Sequence, residues 1–247
     1  MATQQTQFPL LTQRHVHHSS VWTLRGYSVP TLCLACATER LEDRADLSLH
    51  HRRVLGELQG LLTAKDSSLV RMLSSDRRVL DHLSTTVFGL LVTQDGTTAQ
   101  LAMEVLSAIS GQFSATDLPR KLMQKTIQTV MATQRCSDGL PYLTFLGRML
   151  YSLPPLCTEM TNSFGGFLEY LLRGLAYPDE DVKSAVVYML AQLSMKTPQD
   201  SLPASLVQAV CGLISSNLAS AKSHTLTLNL LGLVKGMLKS SVYAQCL

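Results

Sequence analysis

Apolar residues along this chain recur every three or four positions, the interval that gathers them on one face of a helix. In S-L-H-H-R-R-V-L-G-E-L-Q-G-L-L, such a face is lined by Val54, Leu55, Leu58, Leu61 and Leu62. Asp66 then reads as the N-cap of S-S-L-V-R-M-L-S-S, because its carboxylate can accept from the first free amides of a helix. Asp76 reads as the cap of the next segment, where Val79, Leu80, Leu83, Val87, Leu90 and Leu91 keep a 3.6-residue period. The same patterning predicts helices near 97–110, 118–134, 140–152, 158–176, 180–195, 202–219 and 223–239. Gly165 and Gly166 fall inside one of these, where they mark a kink or a helix start. Alternation of the kind that makes strands never lasts beyond a few positions, so the expected class is all-α.

Two of the predicted helices match without a gap. D-G-T-T-A-Q-L-A-M-E-V-L-S-A-I-S (95–110) and D-E-D-V-K-S-A-V-V-Y-M-L-A-Q-L-S (179–194) both begin on Asp and end on Ser, 84 residues apart. The inward set Leu101, Ala102, Val105, Leu106, Ile109 falls on Ala185, Val186, Met189, Leu190, Leu193. A weaker copy begins halfway between, at Ser137, with Leu140, Leu143 and Tyr151 in place but Gly147 and Arg148 at two core positions. Another begins at Ser223, where Leu226, Leu230, Leu233, Val234 and Met237 give the same face after an offset of 44. A period near 42 lies within the roughly 40–47 residues of armadillo and HEAT units. L-V-R-M-L-S-S-D-R-R-V-L and L-A-Y-P-D-E-D-V-K-S-A-V resemble the armadillo turn, in which an acidic or proline-bearing loop separates two helices. The architecture expected from this is a right-handed α-solenoid of armadillo/HEAT-like repeats over residues 46–247.

Residues 1–45 do not share the period. They are rich in Gln, Thr and His, carry the one Trp, and are interrupted by Pro9, Gly26 and Pro30. A flexible N-terminal arm is expected there, with a short helix near 31–40. At the other end, L-N-L-L-G-L-V-K-G-M-L-K has no polar capping unit after it, although terminal repeats normally carry a polar outer face. Either that side meets a partner or the repeat domain is incomplete at its C-terminal end, and the second reading is preferred. Charge content agrees: Asp, Glu, Lys and Arg make up 16%, against roughly 25% in ordinary soluble domains. Surface poor in charge is surface that something else covers.

Candidate chemistry is sparse. The longest apolar runs, such as V-F-G-L-L-V, are far short of the ~20 residues of a membrane span, and no secretory signal is apparent at the N-terminus. Six cysteines scattered over 247 residues are expected to be reduced and mostly buried. His15, His17 and His18 with Cys33 and Cys36 offer zinc-ligand residue types, but the spacing fits no standard finger. A redox reading of C-L-A-C needs a strand before it, and G-Y-S-V-P-T-L is a poor match for one. No nucleotide-binding glycine loop or nucleophile elbow is present, so neither enzymatic activity nor a cofactor is expected. Three basic stretches could touch phosphate: Arg40, Arg44 and His50–Arg53; Arg71, Arg77 and Arg78; Arg120, Lys121 and Lys125. None has interleaved aromatics for stacking on single strands, and solvated helix faces are the commoner explanation. Asn162, Asn217 and Asn229 do not recur at one repeat position, so the peptide-binding ladder of nuclear-import receptors is not expected.

Beyond the repeat class, S-L-V-R-M-L-S-S-D-R-R-V-L-D-H-L and D-G-T-T-A-Q-L-A-M-E-V-L-S-A-I-S resemble the meiosis inhibitor protein family of vertebrate germ cells. That resemblance implies a nuclear, non-enzymatic scaffold in meiotic DNA double-strand break formation and chromosome synapsis, working through protein partners of the break machinery. It carries no individual functional residue. A general armadillo-type adaptor and a direct nucleic-acid binder stay open as alternatives.

Overall fold

A computed structural model describes residues 20–45, 47–65, 67–133, 135–197, 204–217, 223–240 and 244. Among these are twelve α-helices and one two-residue antiparallel strand pair, β1 (Thr23–Leu24) with β2 (Leu32–Cys33). The all-α expectation holds. The chain divides into two compact units, Met1–Phe113 and Ser114–Leu247.

In the first unit, α1 (Leu34–Glu42), α2 (Ser48–Thr63), α3 (Ser68–Ser75), α4 (Arg77–Gly89) and α5 (Gly96–Gln112) follow one another. α1 packs on α4 and α2 on α5, while α1/α2 and α4/α5 pack across between the two pairs. Val54, Leu55, Leu58 and Leu62 of α2 are completely buried, as the period required. Asp76 caps α4 by accepting from the Arg78 amide at 2.9 Å. The cap of α3 is Ser67, which accepts from Val70 N at 3.1 Å; the expected cap, Asp66, lies outside the described residues.

The second unit holds α6 (Leu118–Ala132), α7 (Leu140–Ser152), α8 (Pro155–Ser163), α9 (Gly165–Leu175), α10 (Glu180–Lys196), α11 (Ala204–Asn217) and α12 (His224–Met237). Its helices form two rows. α7, α10 and α12 pack side by side, and α6, α9 and α11 do the same, with α6/α7 and α9/α10 bridging them. The single helix expected over 158–176 is two. α8 starts early, on Pro155, a residue suited to a first helical position. Phe164, at φ −127° and ψ 46°, then breaks the chain before Gly165 opens α9.

The matched pair keeps its correspondence in three dimensions. Asp95 accepts from Thr98 N at 3.0 Å, and Asp179 accepts from Asp181 N and Val182 N at 2.8 and 3.2 Å. Ser223 caps α12 in the same way, accepting from Leu226 N. Ala102, Val105, Leu106 and Ile109 are buried in one unit, and Val186, Met189, Leu190 and Leu193 in the other, while Leu101 and Ala185 are both half-buried.

Gly147 spoiled a core position in the sequence, but the structure gives it a use. A Cβ there would stand 2.9 Å from Cδ1 and 3.2 Å from Cε1 of Tyr188, on α10. The missing side chain is what lets α10 cross α7 closely. Gly236 repeats the device where α12 meets Ser194 and Met195 of α10.

Of the stretch assigned to a loose arm, the described part begins at Ser20 and is packed. Leu32 and Leu34 are wholly buried, and Leu24, Val29 and Leu41 nearly so. The expected short helix there is α1. Its anchor is Glu57 on α2, only 3% exposed, whose carboxylate accepts from the amides of Tyr27 and Ser28 and from the Ser28 hydroxyl. No helical period reports a contact across thirty residues of chain, which is why the sequence left the segment loose.

Val105→Asp and Met189→Asp each place an unpaired carboxylate at a fully buried site, and several kcal/mol of destabilisation is expected. Loss of the cooperative melt followed by circular dichroism is the predicted result; wild-type melting of both variants would refute the inward face. Gly147→Ala sets opposing terms against each other. Helix propensity favours Ala by about 1 kcal/mol, whereas overpacking against Tyr188 costs roughly 1–3 kcal/mol. A net lower urea midpoint is expected, and a higher one would show that α7 and α10 separate freely.

Candidate docking groove

An apolar depression in the first unit lies between α1 and the start of α4, with a volume of about 390 Å³. Its floor is Leu34, Ala35 and Val79, and Trp22, from the turn before β1, forms one wall. Helical geometry explains the α1 side: Leu34, Ala35, Thr38 and Glu39 lie within one and a half turns on adjoining faces, while Cys36 and Ala37 point into the core. On α4, Arg78, Val79 and His82 line the opposite edge, with Asp76 at the helix start. His82 Nε2 stands 3.2 Å from Oε1 of Glu42, and the Thr86 hydroxyl donates to the same oxygen at 3.0 Å. These contacts tie the far end of α1 to α4. A neighbouring hollow of about 540 Å³ is more polar, lined among others by His51, Arg44, Thr93 and Asp95. There Asp95 is held below the usual carboxylate range, first by the Thr98 hydroxyl and also by its amide and by Arg52, 3.3 Å away. Its capping contribution is therefore present at neutral pH and is lost as pH falls through that lowered value.

The residues of zinc-ligand type are not brought together by anything described. His15, His17 and His18 lie outside the described residues, and among those described no group of three or more His, Cys, Asp or Glu is placed to hold a metal. Cys33 and Cys36 do sit at a strand-to-helix junction, because β2 supplies the short strand that the preceding residues did not suggest. Their environment opposes thiolate chemistry, however. Both are buried, and burial, with the neighbouring Cys33 thiol, pushes Cys36 up to about 12. Cys157, also buried, is pushed up to about 11 for the same first reason. These thiols serve as small apolar side chains.

The basic stretches are largely engaged within their own units. His51 is buried and directs Nε2 to the carbonyls of Arg40 and Asp43 at 2.9 and 3.1 Å. His50 meets the Arg40 guanidinium at 2.7 Å. In the second unit Arg120 pairs with Glu159, Lys121 lies 3.5 Å from Asp117, and burial lowers the pKa of Lys125. Arg78 alone of the singled-out basic residues borders the groove. Trp22, Val79 and His82 were not read as a site from sequence. The one available signal was a lone Trp in an otherwise polar stretch, and it gained meaning only when the fold placed it in one lining with residues of α1 and α4.

Residues 32–247 match the family model described as the Meiosis inhibitor protein 1 N-terminal domain. The chain belongs to that family. It is 30% identical over 236 residues to Meiosis inhibitor protein 1 of Mus musculus, and equally so to the Homo sapiens protein. Those alignments cover 95% of this chain but 18% of each relative, so it spans under a fifth of their length. Among solved structures, an engineered protein matches 82% of this chain at 13% identity with a TM-score of 0.38, too low to bear on the arrangement of the helices. The family match begins at residue 32, ahead of α1 and inside the stretch first taken as an arm.

Glu57→Gln keeps the shape of the anchor but replaces one accepting oxygen with a donor, facing the Tyr27 and Ser28 amides. Leaving a buried donor unsatisfied costs about 1–3 kcal/mol. A lower urea midpoint is expected, together with faster backbone exchange at residues 26–29 and greater accessibility of Trp22 to acrylamide. Unchanged Trp22 quenching would show that the anchor does not hold the groove wall.

Proposed function

We propose that this chain is a non-enzymatic docking scaffold, a segment of helical-repeat stack acting in meiotic DNA double-strand break formation and synapsis in the germ-cell nucleus. Membership of a family whose relatives are called Meiosis inhibitor protein 1 is the observation that supports the meiotic setting. The scaffold part draws on the two rows of the second unit, since rows of packed helices give each helix one face for its neighbour and one for a ligand. The armadillo-type arrangement is part of the proposal: α8, α9 and α10, of 9, 11 and 17 residues, follow one another as the three helices of such a repeat would, and the caps Asp179 and Ser223 begin successive helices of one row.

The occupant best suited to the groove beside α1 is a short segment of another protein with an apolar anchor. A floor of Leu34, Ala35 and Val79 beside Trp22 favours an aliphatic or aromatic side chain, and Arg78 and His82 at the edge favour an acidic neighbour in the ligand. This is the peptide-in-groove mode of recognition, in which pockets supply the specificity.

In meiotic germ cells expressing the chain with a Val79→Arg substitution in place of the wild type, fewer recombination foci per nucleus are expected. Affinity capture should lose the partners that wild type retains, with no change in the melting temperature of the purified chain. Normal foci and an unchanged partner set would overturn the groove. Tight binding of the purified chain to DNA, falling steeply with salt, would replace the scaffold reading by the nucleic-acid one.

A further inference from the structure

Among its described residues, the second unit leaves a face of α12 exposed, and the packing of α10 indicates what such a face meets. α10 lies between α7 on one side and α12 on the other. The face it turns to α12 includes Ser184, whose carbonyl and hydroxyl accept from the Asn229 amide at 3.1 and 2.9 Å, and Ser194, which lies against Gly236. Val187, between them on the helix, is completely buried. The caps fix the register between the two helices, Asp179 of α10 corresponding to Ser223 of α12. Counting from those caps, Ser184, Val187 and Ser194 correspond to Leu228 and Leu231 of α12 and to Leu238 at its C-cap. These three are 53%, 49% and 60% exposed.

The part of α12 that repeats the covered face of α10 is therefore uncovered, and it is more apolar than the face it repeats. Helical geometry gathers the three leucines within a sector of about 80°, with Lys235 among them. Gly232, on the edge of the stripe, has nothing within 4 Å of where its Cβ would stand. A backbone that bare admits a close neighbour, as Gly147 does under α10.

We propose that this face of α12 seats a further helix of the same row, supplied in cis by additional polypeptide in longer members of the family. The proposal rests on the stacked-repeat reading above and extends it to named residues. Three half-exposed leucines offer on the order of a few hundred Å², well below the ~800 Å² per partner of a stable complex. A second copy of the chain is thus a poor occupant. A tethered helix needs less, because its local concentration is set by the connecting chain. Lys235 favours an acidic residue on the helix that lands there.

The test compares residues 1–247 with the same chain followed by the about 90 residues, two repeat lengths, that succeed the matched region in the mouse relative. Leu231→Cys is introduced into both, and maleimide labelling at that position is followed by peptide mass spectrometry. Labelling in the extended chain should be slowed by about tenfold or more relative to 1–247. Adding Leu228→Ser and Leu238→Ser should abolish the slowing without lowering the melting temperature of 1–247. Equal labelling rates in the two chains would overturn the proposal, as would slowing that survives the serine changes. A dimer of 1–247 in light scattering that Leu231→Asp dissolves would give the face to a second copy and overturn it as well. None of these outcomes touches the groove on the first unit, whose own test is the count of recombination foci.

Discussion

In the second unit, side-by-side packing of helices in one row depends on backbone approaching side chain more closely than a methyl group allows. At the α7–α10 crossing the gap is made by Gly147 under the ring of Tyr188, and at α10–α12 by Gly236 beside Ser194. A glycine inside a helix costs about 1 kcal/mol relative to alanine, so each seam gives up helix propensity to gain contact. The gain is collective. Val182, Val186, Val187 and Met189 of α10 are entirely buried in a unit whose rows meet there. Leucines and valines of that kind contribute roughly 1.5–3 kcal/mol each when fully buried.

The helix ends reinforce the seams in a form that both units share. Lys196, in the last turn of α10, reaches back to the Leu150 and Tyr151 carbonyls at the end of α7 and lies 4.6 Å over the Tyr151 ring. In the first unit Gln112, at the end of α5, donates to the Leu62 carbonyl near the end of α2 at 2.9 Å. Gln112 and Lys196 are the same 84 residues apart as the two caps. Carbonyls at helix C-termini lack intrahelical donors, so a long side chain from the next helix both satisfies them and fixes where that helix stops. Charge is not required, since an amide serves in one unit and an ammonium in the other. A seam built this way tolerates wide drift in sequence, which suits the 30% identity to the relatives.

What the sequence made legible was whatever repeats along one helix. The apolar faces of α2, α5, α10 and α12, the caps Asp76, Asp95 and Asp179, and the 84-residue match all emerge from local period and local hydrogen bonding. What escaped is nonlocal or depends on absence. Gly147 looked like a defect in a core because its role lies in the Tyr188 ring four decades of residues further on. Residues 20–33 looked loose because their anchor is one carboxylate, Glu57, and no periodic signal reports such a contact. The groove beside α1 escaped for a like reason: its lining joins Trp22 to residues of α1 and α4 that lie far apart in the chain.

Glu57 also bears on how the face of α2 turned away from α5 is closed. Glu57 and Gln59 lie about 200° apart around α2. Gln59 faces α5, where its amide donates to Glu104 at 2.7 Å. Glu57 faces the other way, into the turn at 26–29, and the Tyr27 ring covers Gly60 on that side. The face of α2 away from its row neighbour is thus closed by a non-repetitive turn held through backbone amides, with Tyr27 itself left 66% exposed to water. Such a turn satisfies the helix it covers and puts a wettable surface outward. On α12 of the second unit the corresponding position carries leucines and no such turn among the described residues. The two faces differ in kind, one finished by polar anchorage and the other apolar along its length, and only the second has the chemistry of a seam.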